Sequence, residues 1–125
     1  MATTAKFEQA HKVRELTVTL TYADTASAKM FDLPNGAKIL GWDVQVKTAF
    51  SGGTTELDIG ISSDGDSFVD GASLASAGQV ALGTALKQAK PELTAVTGIY
   101  MNVGASNTVG EVKVTCMFSH YAGNH

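Results

Sequence analysis

Cysteine is almost absent from the chain. With Cys116 alone, no intrachain disulfide can form. Small secreted domains usually carry several bridges, so a disulfide scaffold is excluded. Arginine is equally scarce: Arg14 is the single one, and the formal net charge is −3. Nucleic-acid binders show a basic patch or stripe rich in arginine, so neither DNA nor RNA is an expected partner. Charged residues make up 17% of the chain, below the average of about 25%. No apolar run approaches the roughly 20 residues that span a bilayer as a helix, so no membrane partner is expected. The opening Met-Ala-Thr-Thr-Ala-Lys-Phe-Glu lacks the charged-then-apolar layout of a signal peptide, which points to synthesis in a cytoplasm.

What is present is alternation. From Val13 to Tyr22, Leu16, Val18, Leu20 and Tyr22 alternate with Thr17, Thr19 and Thr21. Period 2 with β-branched residues on the polar side predicts a half-buried strand. Lys29–Leu33 predicts a second strand, and Pro34-Asn35-Gly36 a turn. Ala37–Phe50 is the longest strand expected, with Leu40, Trp42, Val44, Val46 and Phe50 on one parity. After a hairpin at Ser51-Gly52-Gly53-Thr54, Leu57, Ile59 and Ile61 form the inward row of a fourth. Gly98–Val103 and Glu111–Tyr121 close the pattern, separated by a loop at Ala105–Thr108. In between, 62–95 is poorly patterned. Ser62–Ser67 reads as a turn-rich loop, Ser73 as the cap of one helical turn ending at Gly78, and Gln79–Leu86 as strand or helix end. About seven or eight strands in 125 residues predict an all-β antiparallel β-sandwich, jelly-roll-like, in one domain. Residues 1–12 are expected as an N-terminal arm, 13–122 as the domain and 123–125 as a tail. The expected core is Leu16, Val18, Leu20, Trp42, Val44, Val46, Leu57, Ile59, Ile99, Met101, Val112, Val114 and Phe118.

Chemistry is sparse. Asp64, Asp66 and Asp70 stand at short intervals in Asp64-Gly65-Asp66-Ser67-Phe68-Val69-Asp70, and carboxylates in such a run can surround Ca²⁺. An EF-hand loop starting at Asp64 would need Gly at its sixth place and Glu at its twelfth, where Val69 and Ala75 stand. An Asx-type turn accounts for the same residues without an ion and is preferred here. His11, His120 and His125 have no metal-pair spacing. Cys116 falls on an apolar parity and reads as a small buried hydrophobe. No nucleophile elbow, phosphate loop or dinucleotide fingerprint occurs, so neither an enzyme nor a cofactor is expected. Phe7, His11, Phe68, Tyr100, His120 and Tyr121 are the candidates for partner contact.

The runs Trp42-Asp43-Val44-Gln45-Val46, Leu57-Asp58-Ile59-Gly60, Asp64–Asp70, Leu74–Gly78, Thr97–Tyr100 and Gly110–Val114 resemble small virion proteins of tailed bacteriophages. The resemblance implies a capsid decoration (cement) protein. Such a protein would sit as a dimer or trimer on the capsid surface of the virion and bridge neighbouring major capsid protein subunits. It brings no catalytic residue. A tail or head–tail connector component would share the same β-rich composition. A carbohydrate- or calcium-binding β-sandwich is the alternative from another class.

Overall fold

The computed structural model describes residues 11–88 and 91–121. Among these residues eight strands form: β1 (His11–Thr21), β2 (Ala28–Leu33), β3 (Lys38–Ser51), β4 (Glu56–Ile61), β5 (Asp64–Ser73), β6 (Gly78–Gln79), β7 (Thr97–Val103) and β8 (Val109–Tyr121). One 3-10 turn, Gly83–Ala85, lies between β6 and β7. The strands make two four-stranded sheets, sheet A in the order β1-β8-β3-β6 and sheet B in the order β2-β7-β4-β5. Every strand pairing is antiparallel. The protein is therefore an antiparallel β-sandwich.

The pairings are nested. β1 pairs with β8, β2 with β7, β3 with β6 and β4 with β5. The chain thus behaves as one long hairpin rolled onto itself, with β3·β8 and β4·β7 closing the sheets. The shortest strand, β6, is reinforced beyond its two backbone pairs: Val80 N–H donates to Val44 O (2.9 Å), and the Gln79 amide donates to the Asp43 carboxylate.

Inward side chains from both sheets fill the space between them. All the expected core residues are buried except Leu16 and Val18, which are half-buried against the core margin. Trp42 and Phe68 meet across the sheets with ring centroids 5.9 Å apart. Burial also takes in Leu33, Ala37, Ile39, Phe50, Val69, Ala72, Leu74, Val103 and Cys116.

Local irregularities explain where simple alternation fails. The β3–β8 register shifts between Ile39 and Gly41, leaving Leu40 as the extra residue. A bulge of this kind reverses parity. Ile39 is therefore fully buried, while Leu40, expected inward, is half-buried. Residues 64–73, expected to begin as a turn-rich loop, form β5. The connection from β4 is only Ser62-Ser63, and Ser73 caps no helix. Gln79–Leu86 holds only the end of β6, the 3-10 turn and an isolated bridge from Leu86 to Val69. β1 starts at His11, two residues before the expected strand.

Cys116 sits wholly inside the sandwich, and burial pushes its thiol up to about 12. Thiolate is the reactive form. In the folded protein at pH 8, Cys116 is expected to resist a thiol-reactive dye over hours. Added denaturant should release one full equivalent per chain. Fast labelling without denaturant would show that the β1–β8 side of the core opens readily.

Candidate interaction surfaces

The loops gather at the two ends of the sandwich. At one end lie the β1–β2, β3–β4, β5–β6 and β7–β8 connections. Asn107 binds two of them together and is the buried polar residue of the described chain, at 7% exposure. Its Oδ1 accepts from Gly53 N–H (3.2 Å). Its Nδ2 donates to Thr54 O (2.8 Å) and Gly104 O (3.1 Å). Beside it, Thr54 N–H donates to Ala105 O and Thr108 N–H to Ser51 O. These bonds tie the β3–β4 and β7–β8 connections to each other. In the sequence, Asn107 stands in an ordinary hairpin-loop stretch, Ala105–Thr108.

At the other end, Gly36 N–H donates to Leu93 O, Leu93 N–H to Ala37 O, and Ile39 N–H to Pro91 O. These bonds tie the β6–β7 connection down. An open recess of about 360 Å³ remains, walled by Ile61, Ser67, Phe68, Gln88, Pro91 and Leu93 among others.

Charge divides between the sheets. The sheet B strands carry Asp32, Glu56, Asp58, Asp64, Asp66 and Asp70 against the single cation Lys29. The sheet A strands carry Glu15, Asp43 and Glu111 against Lys12, Arg14, Lys38, Lys47 and Lys113. Only two ion pairs temper the acidic sheet, Lys29–Asp32 (3.4 Å) and Lys87–Asp70 (3.7 Å), among the described residues. Both are solvent-exposed and contribute little.

Asp58 is the key carboxylate of that face. The β4–β5 register shifts between Leu57 and Asp58, and Gly71 fills the bulge with φ +76°. Gly71 adopts this left-handed conformation without a Cβ penalty. Asp58 Oδ1 accepts its N–H at 2.9 Å. Burial raises the Asp58 carboxyl above its ordinary 3.8. The Gly71 bond works against this, and the charges of Asp66, Asp70 and Glu56 add to the rise. The folded state therefore binds this proton more tightly than the unfolded chain, so stability falls as pH rises from 3.8 through the raised value. Asp58→Asn keeps the acceptor and removes the charge. It is expected to leave stability at pH 7 equal or higher and to flatten that pH dependence. Asp58→Ala strands the Gly71 N–H and should cost about 1–3 kcal/mol. Urea titrations of both variants at pH 4 and pH 7 check this. An Asn variant less stable than wild type at pH 7 would contradict it.

The candidate residues are scattered. Asp64, Asp66 and Asp70 are exposed on β5, where a strand replaces the expected turn. They do not converge: among the described residues, no three His, Cys, Asp or Glu side chains are placed to hold a metal ion. Phe68 is not an exposed contact residue. At 3% exposure it is core, stacked near Trp42, because a bulge puts both Phe68 and Val69 inside. Tyr100 is half-buried opposite Lys29 on sheet B and lines a shallow recess with Asp32, Ser62 and Gly98. The register sets His11 opposite Tyr121 and Lys12 opposite His120, so these positions share one corner of sheet A. Phe7 lies outside the described residues.

No protein-family model matches the chain, and no curated protein does. Solved structures do. A chain of the cyanophage Pam1 capsid asymmetric unit superposes with a TM-score of 0.65 at 16% identity, covering 96% of this chain and 93% of that one. A chain of the acid-stable capsid structure of Helicobacter pylori bacteriophage KHP30 gives 0.65 at 11% identity, covering 86% of each. At such identities the likeness is one of fold. The chain thus has the β-sandwich fold of chains found in two phage capsid structures.

Proposed function

We propose that this chain is a structural, non-enzymatic component of a phage virion, a decoration protein bound to the outside of the capsid. The observation that carries this reading is the end-to-end character of the likeness. Nearly the whole chain superposes on nearly the whole of a chain from a capsid asymmetric unit. The nested strand order, β1-β8-β3-β6 facing β2-β7-β4-β5, supports reading the sandwich as a jelly roll. In this reading the protein is a homo-oligomer, a dimer or trimer, that bridges neighbouring subunits of the major capsid protein.

The proposed division is an N-terminal arm, a central sandwich and a short C-terminal tail. Because His11 lies opposite Tyr121, β1 begins and β8 ends at one corner of sheet A. We assign the shell contact to that corner, which carries the positions of His11, His120 and Tyr121. Bridging stabilises the shell by mass action, since the protein binds assembled subunits and not free ones. Many copies on a symmetric lattice add avidity to a modest single-site affinity.

The test is calorimetry of shells lacking the protein. Adding the purified chain should raise the shell melting temperature in a saturable way. A chain lacking residues 1–10 should fold normally yet give a smaller rise. No binding by the full chain to intact shells would overturn the decoration reading.

A further inference from the structure

We propose that β1 is the seam of a twofold pairing between two copies of this chain, which joins two A sheets into one continuous sheet. The proposal stands on the strand edges and does not require the capsid reading. The sandwich has four outer strands: β1 and β6 in sheet A, β2 and β5 in sheet B. An open edge is a template for another chain, and folded proteins blunt it by shortness, bulges or cover. Three of the four are blunted in these ways. β6 has two residues. β2 has six, with its register broken between Lys29 and Phe31. β5 breaks register twice, and Lys87 N–H already donates to Phe68 O along its outer side. Among the described residues β1 is neither short, bulged nor covered, and its charges, Lys12, Arg14 and Glu15, all lie in its first half, leaving 16–21 uncharged. Its eleven residues pair with β8 without a single shift, it contains neither Pro nor Gly, and no strand among the described residues covers its other side.

The residue pattern of β1 selects a copy of itself as occupant. Two antiparallel strands about a twofold axis place residues of equal parity opposite one another. A seam centred on Arg14 or Glu15 would set like charges face to face, which is destabilising. A seam centred on Thr17 or Val18 avoids this and keeps Arg14 away from Leu16 and Val18. Glu15 then meets a threonine on the outer face, and Leu16 and Val18 meet apolar partners on the inner one. These two residues are the expected core members left half-buried against the core. A second copy continues the apolar row that one copy leaves open. The exposed Thr17 and Thr115 hydroxyls, 3.0 Å apart on neighbouring strands, show the cross-strand threonine pairing that the outer row would repeat.

Sedimentation of the full chain decides the matter, together with Leu16→Lys/Val18→Lys and Thr17→Cys variants. The wild type should sediment as a dimer. The double lysine variant should show half that mass with an unchanged far-ultraviolet spectrum and a cooperative melt. Thr17→Cys should crosslink to itself with a short bis-maleimide, while a Ser63→Cys control, far from the seam, should not. The buried Cys116 leaves little background. A wild-type monomer, or a trimer, whose threefold axis cannot pair an antiparallel strand with itself, would overturn the proposal. So would a dimer unaffected by the lysines. If the lysine variant fails to fold, the Thr17→Cys result stands alone, and absence of self-crosslinking overturns the proposal.

Discussion

Replacing Gly110 with alanine should destabilise the sandwich by roughly 3–4 kcal/mol, as overpacking and an unfavourable backbone conformation combine. Gly110 lies near the start of β8 with φ +149°, a conformation that L side chains rarely adopt. A Cβ built there falls 2.4 Å from Phe50 Cγ and 2.5–2.6 Å from both Cδ atoms. The Phe50 ring therefore lies flat over the glycine, filling the place a side chain would take. Phe50 is itself core, at 2% exposure. In this stretch the β3–β8 register slips between Thr48 and Ser51, so the two residues mark the point where the longest strand pair bends. For a chain of this size the cost corresponds to a fall in melting temperature of about 10–15 °C. Phe50→Leu shortens the ring and should make the pair of substitutions less damaging than the sum of the singles, by roughly 0.5–3 kcal/mol. Strict additivity would show that the ring is not what excludes the methyl group.

Asn107→Ala should be nearly as costly, by about 3 kcal/mol, because one truncation leaves three backbone groups without partners. The Gly53 N–H loses its acceptor, and the Thr54 and Gly104 carbonyls lose their donor. The loss is structural and confined to one end of the sandwich. Hydrogen exchange should therefore rise first in residues 51–56 and 104–108, before the central strands. Asn107→Asp makes a sharper test. The carboxylate still accepts from Gly53 but points a negative oxygen at two carbonyls, so at pH 7 it should be the worse substitution. Below pH 4, protonation restores one donor, and part of the stability should return. Equal stability of the Asp variant at both pH values would contradict the assigned amide orientation.

Sequence alone reveals this fold wherever one face of a strand is wet and the other dry. The rows Leu57/Ile59, Ile99/Met101 and Val112/Val114/Cys116 alternate cleanly, and all are buried. Alternation fails where the chain adds a residue. The bulge at Leu40 shifts burial to Ile39, and the bulges of β5 bury Phe68 and Val69 side by side. β5 hid for a second reason. Its Asp64-Gly65-Asp66-Ser67 start has turn composition, yet the backbone of Asp64 and Gly65 lies against Gly60, where a Cβ would come within 2.2 Å of Asp64 O. That approach belongs to the hairpin itself: the turn is Ser62-Ser63, not the Asp64–Ser67 stretch whose composition suggests it. The interaction surfaces are less legible still. Neither the unguarded edge of β1 nor the acidic character of sheet B exists until strand order is known, because each depends on which strands become neighbours. Asn107 likewise looks like any loop residue until two distant loops are brought together around it.

The central claim is that this chain decorates a capsid, and its copy number in the particle tests that most directly. Quantitative mass spectrometry of purified virions, scaled to the major capsid protein, should give one copy per capsid subunit or one per a few. A ratio of one to several dozen would place the chain in a tail or connector, and absence from the particle would contradict the account altogether.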